Sequence, residues 1–291
     1  MFYCVLSGRA EEGALEASLV ETLRNAFGGG AARWLAAGEA AEFPLETRPG
    51  NFEEVRADLQ EMQVDVNLVS AQGRRKRMLL ADMDSTMIRQ ECIDELAEEA
   101  GVGAHVKEIT ARAMNGELDF EGALTERVGL LRDLPESVIA KVLDERIELM
   151  PGGRALVGTM RGAGGYAALV SGGFTAFTAH VARVLGFDEN RANTLLVENG
   201  RLTGDVARPI LGRQAKVEAL EQITARLGIS EADVIAVGDG ANDLGMLGRA
   251  GMGVALHAKP SVAAECDLRV NFGDLTALLY VQGYSKSEFS V

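Results

Sequence analysis

Two acids, Asp82 and Asp84, follow directly on the apolar run Met78-Leu79-Leu80-Ala81, in the segment Asp82-Met83-Asp84-Ser85-Thr86. If that run is a buried strand, residues 82 and 84 leave it on the same side, because side chains alternate along a strand. One carboxylate could then attack a substrate while the other handles a proton. An acid pair beside small hydroxyls points to phosphate chemistry. The same residue types also suit a strand end followed by a helix cap, since Asp, Ser and Thr all cap helices well.

Three later segments weigh against a mere cap. Tyr166-Ala167-Ala168-Leu169-Val170 runs into Ser171-Gly172-Gly173, after which Phe174, Phe177, Val181 and Leu185 recur at helical spacing. This pattern is a strand, a small-residue turn and a helix, and such a turn offers N–H groups and a hydroxyl to an anion. Val234-Ile235-Ala236-Val237 leads into Gly238-Asp239-Gly240-Ala241-Asn242-Asp243, a second strand end bearing acids that could hold a hard cation through oxygen. Between them, Lys216 opens a helix with apolar positions at Val217, Leu220, Ile223 and Leu227, where it could neutralise phosphate charge. Each piece alone is ordinary turn or surface chemistry. Together they fall at strand carboxyl ends, where open parallel sheets bind ligands.

The elements that must position these groups form a doubly wound α/β core, to which Gly253–Leu256 and Leu268–Val270 add short strands. Thr194–Val197 and Arg201–Gly204, around Asn199-Gly200, form a β-hairpin of architectural rather than chemical use. Lys259 and Pro260 fall in an exposed turn. The long stretch before Pro151-Gly152-Gly153 has helical periodicity, with Ile93, Leu96, Ala97 and Ala100 on one face and Phe120, Ala123, Leu124, Val128 and Leu131 on another. It is a helical cap inserted at about residues 90–150, able to exclude water before chemistry. Arg127 interrupts the second apolar face and needs a partner there. Spacing allows a salt bridge inside the cap, a snorkelling side chain, or bidentate capture of a substrate carboxylate.

In this order, DMDST, SGGF, a lone Lys and GDGAND resemble the haloacid dehalogenase-like phosphatases, and within them the phosphoserine phosphatases, over residues 76–290. The resemblance implies a Mg²⁺-dependent enzyme that hydrolyses O-phospho-L-serine through an aspartyl-phosphate, as the last step of serine biosynthesis. It makes Asp82 the nucleophile and Asp84 the general acid and base. Ser171 and Gly172 bind phosphate, Lys216 steadies phosphate and nucleophile, and Asp82, the Asp84 carbonyl and Asp239 hold the metal. Asn242 joins the substrate site and Asp243 supports it. Phe120 and Arg127 match a cap aromatic and a carboxylate-binding Arg, and Glu91 matches the acid that binds the substrate ammonium. By position alone, Glu91 is equally a solvated acid at a helix N-terminus. Transfer of the same phosphoryl group to an alcohol such as homoserine needs no different motif, and a non-catalytic amino-acid sensor is a third alternative.

Residues 1–73 have the order βαββαβ: a strand at Phe2–Leu6, a helix near Ala14–Ala26, strands at Arg33–Ala36 and Glu42–Leu45, a helix at Phe52–Met62 and a strand at Val64–Val69. That order suggests an α+β ferredoxin-like fold. It resembles the ACT domains of phosphoserine phosphatases, and regulation, scaffolding and homodimer formation are all open to it. Residues 74–291 form the phosphatase core.

With 291 residues and 47% hydrophobic content, the chain can bury a large core. A net charge of −14 and a pI near 4.8 argue against a nucleic-acid or anionic-membrane surface. The basic run Arg74-Arg75-Lys76-Arg77 is expected to be a solvated linker. Cys4, Cys92 and Cys266 lack zinc or disulfide spacing, and His105, His180 and His257 are scattered. No signal-like segment or run of ~18–20 apolar residues is found, so a cytoplasmic location is expected. No P-loop or nucleophile elbow occurs. Gly162-Ala163-Gly164-Gly165 precedes a strand rather than following one, which assigns it to a loop and not to a dinucleotide site.

Overall fold

The structure, a computed structural model, describes residues 1–9, 13–114 and 117–290. Its first six elements are β1 (Phe2–Ser7), α1 (Ala17–Ala26), β2 (Arg33–Ala36), β3 (Ala40–Leu45), α2 (Phe52–Glu61) and β4 (Asp65–Ser70). The strands form an antiparallel sheet of order β2-β3-β1-β4, the ferredoxin-like arrangement expected of this element order. Cys4, Leu6, Phe43 and Val66 turn to one face, where Val20, Leu23, Phe52 and Leu59 of the two helices cover them.

The remainder runs through β5 (Met78–Ala81), α3 (Cys92–Glu99), α4 (Gly103–Met114), α5 (Phe120–Gly129), α6 (Ser137–Glu145), α7 (Gly153–Gly162), β6 (Tyr166–Phe174) and α8 (Thr175–Leu185). It continues with β7 (Glu189–Asn193), β8 (Leu195–Glu198), β9 (Arg201–Val206), α9 (Arg213–Leu227), β10 (Val234–Gly238) and α10 (Leu244–Arg249). It closes with β11 (Met252–Leu256), α11 (Pro260–Ala264), β12 (Leu268–Val270) and α12 (Ala277–Val281).

Six of these strands form a parallel sheet of order β12-β11-β10-β5-β6-β7. Its central strands are apolar on both faces, as burial between two helical layers requires. Leu79, Leu169 and Val237 pack with Leu156 of α7 and Phe177 of α8. Met78, Leu80, Ala168 and Ala236 pack with Leu220 and Ile223 of α9 and Met246 of α10. The chain winds outward from β5 through β6 to β7, then returns to β10 and winds the other way. The switch therefore lies between β5 and β10, and a crevice opens beyond their carboxyl ends.

Helices α3 to α6 leave and rejoin this core through a narrow neck, where Ile88 bridges Leu149 and Met150 N–H donates to Met87 O at 2.9 Å. The β8–β9 hairpin reaches out to the same helical unit, with Asp133 N–H donating to Leu202 O and Leu202 N–H to Leu134 O, both at 2.9 Å.

Three expectations need revision. The strand β6 continues through Ser171-Gly172-Gly173 as an irregular extension, with a register shift between Val170 and Phe174, so a tight turn is absent there. Pro260 opens the short helix α11, as Pro at the first helical turn can, because its missing N–H is not needed there. Arg74 is 9% exposed and belongs to no solvated linker. It donates to Glu42 Oε2 at 2.5 Å and to the carbonyls of Val281 and Tyr280 at 2.7 and 3.1 Å. A buried guanidinium is tolerated only with such partners. Nearby, Asn67 exchanges two 2.9 Å bonds with the backbone of Arg269, and Asp65 accepts from the N–H groups of Asn271, Phe272 and Gly273. The edge strands β4 and β12 are thereby closed against each other. Among the described residues no helix is long and apolar enough to cross a membrane, and the three cysteines are free and buried.

Candidate active site

The sheet fixes the first acid through its backbone. Asp82 N–H donates to Val237 O at 3.0 Å, which carries the β5–β10 ladder one residue beyond Ala81. The chain then folds sharply back, with Met87 and Ile88 N–H both donating to Met83 O. Ser85 sits inside this reversal at φ +56°, a left-handed conformation costing a non-glycine residue about 1 kcal/mol. Its N–H donates to Gln90 O at 3.2 Å and its Oγ to Glu91 Oε1 at 2.8 Å, and these bonds hold it there.

Residues distant in the chain meet at this point. Lys216, in the first turn of α9, places Nζ 2.8 Å from Asp82 Oδ1 and 2.5 Å from Asp243 Oδ1, and is 2% exposed. Met83 N–H donates to Asp82 Oδ1, and Gly240 N–H to Asp243 Oδ2. Burial works against the Lys216 charge, but Asp82 and Asp243 outweigh it and hold the ammonium protonated above the ordinary lysine range. Burial and the nearby Asp243 push the Asp82 carboxyl well above its usual range, with Lys216 opposing them. Asp239 rises to about 6 through burial and repulsion from Asp243 and Glu91.

Asp84 faces elsewhere. Its Oδ1 accepts from Cys92 N–H at 3.2 Å and its Oδ2 lies 3.4 Å from Cys92 Sγ, at the start of α3. Burial and the Glu91 charge raise it to about 7, a suitable value for a group that must both give and take a proton near neutrality. Gly173 makes this position possible, since a Cβ there would stand 2.5 Å from Asp84 Oδ2. Ser171 is buried, and its Oγ accepts from Gly173 N–H at 2.8 Å while its own proton stays available to a ligand.

The chemistry of the donor set fits a hard divalent cation. Asp82, Asp239 and Asp243 bring carboxylate oxygens within 4.8 Å of one another. Both Asp243 oxygens are engaged by Lys216 and Gly240, which leaves Asp82 and Asp239 as the freer ligands. All-oxygen donors suit Mg²⁺ and Mn²⁺ alike.

The cap supplies the remaining candidates. Phe120 rests on two glycines, with Cζ 3.1 Å from where a Gly172 Cβ would lie and Cδ1 3.0 Å from that of Gly212. Arg127 is half-buried; its Nε donates to Ala123 O at 3.2 Å, and Nη1 lies 3.5 Å from Thr110 Oγ1. Among the described residues no carboxylate comes within ion-pair distance of it, so the structural salt bridge that spacing allowed is not found. Glu91 keeps contact with solvent and accepts from Ser85 Oγ; enclosure by the cleft walls raises its carboxyl with help from the nearby Asp94, and the Ser85 hydrogen bond and the Arg127 and Lys216 charges oppose that rise. Asn242 is half-buried and lies over Gly240, with Oδ1 2.3 Å from where a Gly240 Cβ would stand. Phe120 and Gly212 also line a cleft of about 540 Å³ with Arg191 and Arg213, and Asp82, Asp84, Asp239 and Asp243 are not among its lining residues.

Three participants escaped the sequence reading. Thr86, fully buried, points its Oγ1 at Asp239 Oδ1 at 3.3 Å, and its place inside the acidic segment was the available signal. Cys92 carried no signal beyond its nearness to Asp84. Asn193, 1% exposed, bonds both Gly172 and Leu211 from a strand whose sequence, Glu189-Asn190-Arg191-Ala192-Asn193, lacks an apolar pattern.

With acids on both sides of a topological switch, a buried lysine between them and a helical cap above, the comparisons with known proteins agree. The haloacid dehalogenase-like hydrolase family matches residues 79–248, and the chain belongs to that family. A phosphoserine phosphatase of Archaeoglobus fulgidus is 42% identical over 78% of this chain and 66% of its own length. The chain spans less of two further curated phosphoserine phosphatases, from Haemophilus influenzae (64%) and Streptomyces coelicolor (55%). Among solved structures, a haloacid dehalogenase family hydrolase of Salmonella enterica serovar Typhi superposes with a TM-score of 0.88 at 29% identity, over 97% of this chain and 99% of that one. A phosphoserine phosphatase solved as a phospho-aspartyl intermediate analogue superposes with a TM-score of 0.66 at 42% identity, over 71% and 98%.

Proposed function

We propose that the chain is a Mg²⁺-dependent phosphoserine phosphatase that hydrolyses O-phospho-L-serine to L-serine and phosphate, with Asp82 as nucleophile. The observation that carries this reading is the Asp82 carboxylate, oriented by Lys216 Nζ at 2.8 Å, beside a second buried acid whose pKa lies near 7. A phosphate dianion repels a carboxylate until its charge is offset; a bound Mg²⁺ would supply part of that offset, held by Asp82, the Asp84 carbonyl and Asp239. Lys216 supplies another part, and Ser171 and the Gly172 backbone receive phosphate oxygens.

In the first step the Asp82 oxygen forms a bond to phosphorus as the bond to the serine oxygen breaks, and Asp84 gives that oxygen its proton. In the second, Asp84 takes a proton from water, whose oxygen attacks the same phosphorus and releases Asp82 and inorganic phosphate. Each displacement is easier than a single direct hydrolysis, which is the gain of covalent catalysis. Arg127 binds the substrate carboxylate, Glu91 its ammonium, and Phe120 closes the site, with Asn242 and Asp243 supporting substrate and lysine. A site built for both charged ends discriminates because an analogue lacking one leaves its partner unpaired.

We assign residues 1–73 to an ACT-like regulatory or dimer-forming unit, 74–291 to the phosphatase core and about 90–150 to the cap. A cytoplasmic enzyme of serine biosynthesis follows from this reading. One assay tests it against phosphotransfer: the chain is incubated with phosphoserine and Mg²⁺, with and without homoserine. Inorganic phosphate in both reactions supports hydrolysis. Phosphohomoserine would indicate transfer, and the absence of both products would indicate a sensor.

A further inference from the structure

We propose that Asn193 is a positioning residue that sets the geometry of the phosphate site and of the shelf on which Phe120 closes. The proposal rests on the phosphatase reading of the site and deepens it. The Asn193 side chain makes three bonds at 1% exposure: Nδ2 donates to Gly172 O at 2.8 Å and to Leu211 O at 3.1 Å, and Oδ1 accepts from Leu211 N–H at 2.7 Å. These partners fix the orientation of the amide, because the reverse would set its oxygen against two carbonyls. Among side chains of this length, a carboxamide alone carries both the paired donors and the acceptor.

Each bond has a consequence for the site. The bond to Gly172 O pins one side of the Gly172–Gly173 peptide, and the Gly173 N–H on the other side donates to Ser171 Oγ. The plane of that peptide, and with it the hydroxyl offered to phosphate, is held from both sides. The bonds to Leu211 close the base of the excursion from residue 193 to residue 211 that carries the β8–β9 hairpin to the cap, alongside a backbone bond from Ala207 N–H to Thr194 O at 2.8 Å. Leu211 directly precedes Gly212, the N-cap of the helix that bears Lys216. Gly172 and Gly212 are the two glycines under the Phe120 ring. One amide thus spaces the phosphate loop, the approach to Lys216 and the landing surface of the cap aromatic.

The test uses the full chain with Mg²⁺ and measures binding of inorganic phosphate by calorimetry, together with kcat and KM for phosphoserine and p-nitrophenyl phosphate. Asn193→Ala removes all three bonds; Asn193→Asp keeps the volume and the acceptor but loses both donors. Thr178→Val is the control, since Thr178 is fully buried between α8 and β7 and its hydroxyl bonds Asn190 Oδ1 at 2.9 Å, outside the site. Both Asn193 variants are expected to weaken phosphate binding about tenfold or more, and to raise KM for both substrates, while Thr178→Val binds phosphate as the parent does. Unchanged phosphate binding in the Asn193 variants, an equal loss in Thr178→Val, or failure of both Asn193 variants to fold would overturn the proposal. A parent chain that binds phosphate but does not turn over phosphoserine would sink the phosphatase reading and leave the Asn193 comparison valid, because binding is read without turnover. A parent that binds no phosphate would overturn the proposal itself.

Discussion

Arg127→Ala is the substitution that most sharply separates substrate recognition from phosphate chemistry. Among the described residues no carboxylate is within ion-pair distance of Arg127, so its removal breaks no internal salt bridge; it forfeits the bond to Ala123 O and the contact with Thr110. Stability should therefore change by less than about 1 kcal/mol. Binding of phosphoserine should lose a charge-assisted pair worth about 3 kcal/mol at a half-buried site, which corresponds to ~100-fold in kcat/KM. p-Nitrophenyl phosphate has no carboxylate, so its kcat/KM should fall by less than about threefold. The assay is steady-state release of phosphate from each substrate by parent and variant, with a thermal melt to establish that both are folded. Equal losses on the two substrates would refute the carboxylate role and return Arg127 to the architecture of the cap.

Further expectations follow from the same geometry. Gly173→Ala would set a Cβ 2.5 Å from Asp84 Oδ2 and 2.9 Å from Cys92 Sγ, so activity on both substrates should fall by about two orders of magnitude, with a stability loss of about 1–3 kcal/mol in urea denaturation. Near neutrality Asp84 must be protonated to serve the leaving serine oxygen, and its pKa is raised to about 7. kcat/KM for phosphoserine should accordingly decline as pH rises through that value, with a weaker decline for p-nitrophenyl phosphate, whose leaving group needs no proton. Glu42→Ala would leave the buried Arg74 guanidinium uncompensated at the seam between the N-terminal sheet and the core, and should cost about 3 kcal/mol in urea denaturation.

Much of this site was legible because strand carboxyl ends obey simple rules. Met78–Ala81 reads as a buried strand from its apolar run alone, and the acids behind it could lie nowhere but at its mouth. The same logic placed Asp239 and Ser171 at strand ends, whereas spacing put Lys216 only at a helix start, where most lysines are solvated, and the resemblance alone gave it a role. What stayed hidden depends on contacts between distant segments. The strand β7 is nearly all polar, because it lies at the sheet edge and its side chains bond α9 and the phosphate loop, as Arg191 does with Gln222 and Asn193 with Gly172. Arg74 looked like one more surface cation until the fold brought Glu42 and two carbonyls around it. The small residues after Val170 suggested a turn, yet the backbone stays extended to Phe174, with glycines there to admit Asp84 and Phe120.

Covalent catalysis by Asp82 is tested by rapid quenching of the Mg²⁺-loaded chain during phosphoserine turnover, followed by mass spectrometry of the peptide that contains Asp82. A phosphoryl group is expected on Asp82, with neither label nor turnover in Asp82→Asn. A phosphoryl group on another residue, or undiminished turnover by Asp82→Asn, would contradict it.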